Sequence, residues 1–116
     1  MEYASAYRLA EEIRSSEECR TLKELKEQAM GDETQAALIR ESRKLQVQLQ
    51  MGALSGAQAQ EDEVQRFSAI STLLFSKPET RDYLLAEMRM QQTLADVIKI
   101  ITEATGLEMQ LPGAEG

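Results

Sequence analysis

The sequence predicts an all-α protein of about five helices, two of them long, that forms a helical bundle and assembles as a dimer. Two observations predict this class. Apolar residues recur at three- and four-residue steps along nearly the whole chain, which is the period of an amphipathic helix. The two prolines and six glycines fall between helix-length segments, where such residues punctuate structure. The single run of β-branched residues, 97–102, lies inside an unbroken helical period.

The first two predicted helices are the shorter ones. One runs from about Glu2 to Arg14, and the next from Ser16 to about Met30, where Gly31 ends it. Ser15 with Glu18 three positions later predicts a capping box at the start of the second helix. The predicted apolar faces are Tyr3, Ala6, Tyr7, Ala10 and Ile13 on the first helix, and Cys19, Leu22, Leu25 and Ala29 on the second.

A second capping signal, Asp32 to Gln35, predicts the start of a third helix that runs to about Met51. Residues 52–60 contain Gly52, Ser55 and Gly56 and predict a loop. A fourth helix is expected from about Glu61 to Phe75. The apolar faces are spaced at three and four residues, and they comprise Leu38, Ser42, Leu45 and Leu49 on the third helix and Val64, Phe67, Ser71 and Leu74 on the fourth.

The fifth predicted helix, Pro78 to Thr105, is the longest, about 40 Å at 1.5 Å per residue. Ser76 can cap it, Pro78 suits its first turn, and Gly106 suits its C-terminal cap. A seam of four- and three-residue steps follows Leu84, Met88, Gln91, Ala95, Ile98 and Thr102. Residues 1–106 are therefore expected to form one helical domain, and 107–116 a flexible tail.

Composition excludes several classes of function. The chain has 116 residues and a net charge of −7, which disfavours direct binding of nucleic acid because phosphate backbones are held by surplus Lys and Arg. No segment reaches the ~18 apolar residues of a membrane span. The start of the sequence lacks a signal-like pattern and there is one cysteine, so a cytoplasmic protein is expected.

The sequence offers no catalytic or metal-binding constellation, so neither an enzyme nor a cofactor is expected. There is no histidine, the usual general base and commonest metal ligand. Acidic pairs such as Glu17 with Glu18 suit helix capping and solubility better than catalysis. Cys19 lies on an apolar face and is interpreted as a small core residue rather than a reactive thiol. Met88 is predicted to be core, and Met51 and Met90 to be exposed contacts.

The long apolar stripes favour an assembly. Two short helices are too small to cover two long stripes, and each exposed Leu or Ile forfeits ~1.5–3 kcal/mol of burial. A symmetric dimer is the simplest solution; the alternative is that the two short helices fold back and cover everything. The predicted oligomer interface comprises Leu45, Leu49, Leu84, Met88, Leu94, Ile98 and Ile101.

Four stretches of the sequence, in this order and spacing, resemble the YlbF/YmcA family of bacterial regulatory proteins. They are residues 6–13 (AYRLAEEI), 16–18 leading into Leu22-Lys23, 45–52 (LQVQLQMG), and Lys77-Pro78 followed by 83–87 (YLLAE) and 94–104 with its VIKII core. The resemblance covers residues 4 to 106. It implies an all-α fold that forms dimers or hetero-oligomers of paralogues in Gram-positive bacteria.

The resemblance also implies a function. Family members regulate competence, sporulation and biofilm development, and some act as accessory factors beside ribonuclease Y in mRNA maturation. Some carry a cysteine-rich tail linked to iron–sulfur binding; residues 107–116 of this chain contain no Cys, so the cluster is not carried over. The leading hypothesis is a regulatory adaptor that binds proteins, including an RNA-processing enzyme. The alternative is a structural or chaperone-like helical oligomer.

Overall fold

The computed structural model describes residues 1–56 and 61–107. Over these residues the protein has five helices and no strand, so the predicted all-α class is confirmed. The helices are α1 (Ala4–Arg14), α2 (Glu17–Met30), α3 (Glu33–Leu54), α4 (Glu61–Ser76) and α5 (Pro78–Thr105). Nothing within the described ranges is long and apolar enough to cross a membrane. The predicted flexible tail lies, beyond Leu107, outside the described residues.

Side-chain caps precede α2 and α3. At α3 the carboxylate of Asp32 accepts a hydrogen bond from the backbone N–H of Gln35 at 3.0 Å, as the capping signal predicts. The predicted capping box at α2 is wrong by one residue. Ser16, not Ser15, accepts from the backbone N–H of Cys19 at 3.1 Å, because the Ser15 hydroxyl donates back to Glu11 in α1.

The predicted loop after the third helix begins later than expected. Helix α3 continues through Gly52 to Leu54, because a single glycine costs a helix only about 1 kcal/mol and does not stop it. The turn comes at Gly56, whose φ of +79° suits a residue without a Cβ. Residues 57–60 of the predicted loop lie outside the described residues.

A tight corner joins α4 to α5. Ser76 is the last residue of α4, and its hydroxyl donates to the carbonyl of Leu73 rather than capping α5. Thr80 is completely buried, and its hydroxyl donates to the carbonyls of Leu74 and Lys77. Lys77 alone separates the two helices, so Thr80 ties the last turn of α4 to the first turn of α5.

The chain divides into two compact units. Unit 2 is Leu25–Tyr83, in which α3 packs against α4. It contains most of the buried side chains: Ala29, Gln35, Ala36, Ile39, Leu45, Ile70, Leu74, Thr80 and Tyr83. Tyr83 is 1% exposed and its hydroxyl lies 2.6 Å from the guanidinium of Arg43, which donates to it. The same guanidinium lies 5.7 Å from the centre of the tyrosine ring.

Unit 1 consists of Met1–Glu24 and Leu84–Gly116. Of its described side chains only Ala86 and Met90 are buried, and α1 has no buried residue. Tyr3 and Tyr7, predicted to belong to the apolar face of the first helix, are exposed. Within this unit the hydroxyl of Thr93 on α5 donates to the carboxylate of Glu18 on α2 at 2.9 Å.

Candidate interaction surface

The C-terminal half of α5 presents an uncovered apolar side. Leu94, Ile98 and Ile101 are spaced four and three residues apart, which places them on one side of a helix. They are 43%, 36% and 54% exposed. We call these three residues the α5 apolar face. Each leaves enough apolar surface in water to gain free energy from a partner.

The opposite side of this half of α5 is mainly polar, with Ile100 as an exposed apolar residue on it. Asp96, Lys99 and Glu103 are exposed there, and Asp96 accepts a hydrogen bond from the side-chain amide of Gln92 at 2.8 Å. Both sides of the helix are therefore open to water, although only one is chemically suited to it. An amphipathic helix whose apolar side stays uncovered is typical of a binding surface.

Local contacts flank the α5 apolar face at both ends. Thr93, the residue before Leu94, donates its hydroxyl both to Glu18 of α2 and, at 3.1 Å, to the carbonyl of Arg89 one turn earlier. At the other end, Gly106 adopts a φ of +73° directly after Thr105, a conformation that favours glycine and ends helices. The face thus spans about two turns and ends one turn before the C-terminus of α5.

The predicted interface residues fall in different environments. Leu45 is 2% exposed, so its assignment to a surface is corrected: its position against α4 makes it part of the core of unit 2. Leu49 and Leu84 are half-buried. Met88, Leu94, Ile98 and Ile101 are exposed, as an interface requires, and the last three share one face.

The prediction for the methionines of α5 is reversed. Met90 is buried and Met88 is exposed, because the buried side of α5 follows Tyr83, Ala86 and Met90 rather than the seam through Met88. Met51 is exposed, as predicted. Ile100 was missed as an exposed residue. The sequence did contain an indication of this: four of the five residues from 97 to 101 are apolar, and they cannot all lie on one face of a helix.

The described residues contain no group of three or more His, Cys, Asp or Glu side chains placed to hold a metal ion. The Arg14–Glu11 and Arg81–Asp82 pairs are local and largely exposed, and exposed pairs of this kind contribute little free energy. The α5 apolar face, which contains three of the predicted interface residues, is therefore the candidate functional site among the described residues.

Comparison with known proteins connects this structure to a family. Residues 3–105 match the family model described as "Control of competence regulator ComK, YlbF/YmcA". A UPF0342 protein of Caldicellulosiruptor saccharolyticus is 30% identical over 96% of this chain and 92% of its own length. Another, from Desulfitobacterium hafniense, is 33% identical over 88% of this chain and 82% of its own.

A solved structure shares the fold. It is a protein of unknown function (DUF964) from Bacillus stearothermophilus, with a TM-score of 0.76 and 26% identity over 90% of this chain and 91% of its own. The family match spans all five helices, including the α5 apolar face. The relatives come from Gram-positive bacteria, and the family is a regulatory one rather than a known enzyme family. The chain belongs to the YlbF/YmcA family, whose description is control of the competence regulator ComK.

Proposed function

We propose that this protein is a non-catalytic regulatory adaptor that acts in the cytoplasm by binding other proteins through the α5 apolar face. The observation that carries the proposal is the exposure of Leu94, Ile98 and Ile101 together on one side of a helix whose other side is mainly polar. Burial of the exposed part of these three side chains would contribute a few kcal/mol, which offsets part of the free-energy cost of association.

The partner is proposed to be a second copy or a paralogue, together with an RNA-processing enzyme. A second copy is supported by the small number of buried side chains in unit 1, because a packed dimer would cover its apolar surface. The RNA-processing enzyme rests on the family resemblance, which implies an accessory role beside ribonuclease Y. Direct nucleic-acid binding is not proposed, since the −7 charge repels phosphates.

Affinity capture from the native host tests the adaptor. The wild-type chain is expected to retain one stoichiometric partner, and Ile98→Lys to lose it, because the lysine places a charge in the apolar contact. Ile100→Lys is the matched control: it is the same exchange on the same helix, at a residue that is 67% exposed and lies off the face. Loss of the partner from both variants, or from neither, would contradict a specific role for the face.

A chaperone-like holdase is the second candidate, favoured by the number of exposed apolar side chains in unit 1. A holdase binds many unfolded chains, so it would capture a heterogeneous set and suppress the thermal aggregation of an unrelated client protein. An adaptor is expected to do neither. Aggregation of a heated client, followed by light scattering with and without equimolar protein, distinguishes the two functions.

A further inference from the structure

A second uncovered stripe runs along α3, in unit 2. Arg40, Lys44, Val47, Met51 and Leu54 follow one another at steps of four, three, four and three residues, so they lie in one line along the helix. All five are exposed. Val47, Met51 and Leu54 are 56%, 63% and 84% exposed. We call this line the α3 stripe. It is about 20 Å long.

The stripe is not the side that α3 uses for folding. Leu45, on the opposite side of the same turns, is buried, and Leu49 is half-buried. The residues beside the apolar end of the stripe, Gln48 and Gln50, are uncharged. The apolar residues of the α3 stripe therefore do not contribute to the core of unit 2.

Arg40 and Lys44 make one end of the α3 stripe positively charged. Within the described residues, Arg40 and Lys44 take part in no hydrogen bond or ion pair. Two acidic residues lie near these cations on α3: Glu33, seven positions before Arg40, and Glu41, three positions before Lys44, whose carboxylate lies 3.7 Å from the guanidinium of Arg66. Two unpaired positive charges adjoining three exposed apolar side chains stand out on a chain of net charge −7, and they select an acidic ligand by charge complementarity.

We propose that the α3 stripe binds an acidic amphipathic helix of another protein. The heptad spacing fits an α-helix laid alongside α3, whose apolar residues would contact Val47, Met51 and Leu54. Its Glu or Asp residues would pair with Arg40 and Lys44. The α3 stripe shares no residue with the α5 apolar face, so the inference does not rest on the proposed function and would give the adaptor a second partner.

The same charges disfavour other occupants. Two copies aligned in parallel through this stripe would place Arg40 against Arg40 and Lys44 against Lys44. Antiparallel copies would place these cations against Leu54 and Met51, which costs free energy without a counter-charge. An anionic membrane would attract the two cations but repel the acidic chain as a whole.

A pair of labelled peptides tests the proposal on the full chain. Both are 18-residue designed helices with Leu and Ile facing Val47, Met51 and Leu54. One carries Glu at the two positions facing Arg40 and Lys44, and its twin carries Lys there. By fluorescence anisotropy at low salt, the wild-type chain is expected to bind the Glu peptide ~10-fold more tightly than the Lys peptide.

Variants of the chain make the test specific. Arg40→Glu with Lys44→Glu is expected to reverse the preference, whereas Lys23→Glu with Lys26→Glu, an equal change of charge at exposed sites of α2, is expected to retain it. Met51→Gln should weaken both peptides ~5-fold without altering the preference. Ile98→Lys should bind like the wild type, so that failure of the α5 proposal leaves this one standing.

Several results would overturn the proposal. They are equal binding of the two peptides, no binding of either, or an unchanged preference in the Arg40→Glu, Lys44→Glu variant. Binding of the wild type to phosphatidylglycerol vesicles, lost in that variant, would assign the stripe to a membrane. Loss of self-association in the same variant, measured by light scattering, would assign it to a second copy.

Discussion

Units 1 and 2 differ sharply in how they bury apolar side chains. Unit 2 has nine buried side chains among its described residues, including Ile39, Leu45 and Leu74, whereas unit 1 has Ala86 and Met90. Both are helical and both carry apolar stripes of similar period. The difference indicates that unit 2 has a core of its own, whereas unit 1 leaves most of its apolar side chains in water, which is why we propose that unit 1 carries the binding surface.

Removal of one buried side chain from unit 2 is expected to have the largest effect. Ile39 is 1% exposed, and Ile39→Ala should lower the free energy of unfolding by about 3 kcal/mol through lost burial and a residual cavity. Ile100→Ala, in unit 1, should change it by less than ~0.5 kcal/mol. Urea unfolding followed by circular dichroism measures both. Equal losses would show that the units do not differ in this way.

A charge in the α5 apolar face is expected to affect association instead of folding. Ile98→Lys should weaken self-association ~100-fold while helicity is maintained, because the side chain is open to water in the isolated chain. Light scattering and far-UV circular dichroism at ~50 µM compare it with the wild type and with Ile100→Lys. A monomeric wild type would contradict the dimer hypothesis. Unfolding of the Ile98→Lys variant would show that Ile98 belongs to an internal core instead of an intermolecular contact.

The polar contact in unit 2 is expected to contribute less. Tyr83→Phe removes the hydroxyl that accepts from Arg43. It should lower the free energy of unfolding by about 1.5 kcal/mol, which is the lower end of what a hydrogen bond to a charged group contributes. Tyr7→Phe in unit 1 should have no measurable effect, since that ring is 76% exposed. Thermal unfolding of both variants checks the contrast, and a neutral Tyr83→Phe would refute it.

The smallest expected effects come from the two caps. Asp32→Ala should cost about 1 kcal/mol of global stability, because α3 belongs to the core of unit 2. Ser16→Ala removes an equivalent cap, yet unit 1 is little packed, so the loss should be local and leave global stability almost unchanged. Hydrogen exchange is expected to become faster around Cys19 in that variant. A global effect from Ser16→Ala would show that unit 1 unfolds together with unit 2.

The sequence predicted the helices well where side chains define their ends. Pro78, Asp32 and Gly106 each fix a backbone conformation by local chemistry, so α5 begins and ends where predicted and α3 begins at its cap. Gly52 was a misleading signal because a single glycine costs a helix only about 1 kcal/mol, which is too little to end α3 there. Ser15 and Ser16 present the same hydroxyl one residue apart, and only the turn preceding them decides which one caps.

The candidate surface was harder to predict. On α5 apolar residues occupy more than half the circumference, so periodicity alone could not decide whether Met88 or Met90 faces inward. Leu45 was assigned to an interface for a similar reason. Apolar residues recur at the same three- and four-residue steps whether a helix packs against another helix of its own chain or against a partner protein. Whether the apolar face is covered depends on tertiary contacts, which a pattern along one helix does not contain.

The corner at Lys77 restricts where residues can be inserted into this sequence or deleted from it. One inserted residue there would rotate every later residue of α5 by about 100° and shift it by 1.5 Å. Thr80 and Tyr83 would then leave their buried positions, and the carbonyl of Leu74 would lose the Thr80 hydroxyl as its donor, whereas the carbonyl of Lys77 also accepts from the backbone N–H of Arg81. Substitution of the exposed Lys77 side chain should be tolerated, whereas insertion or deletion at this joint should not. In related sequences, gaps are therefore expected to avoid this joint even where its residue identities vary.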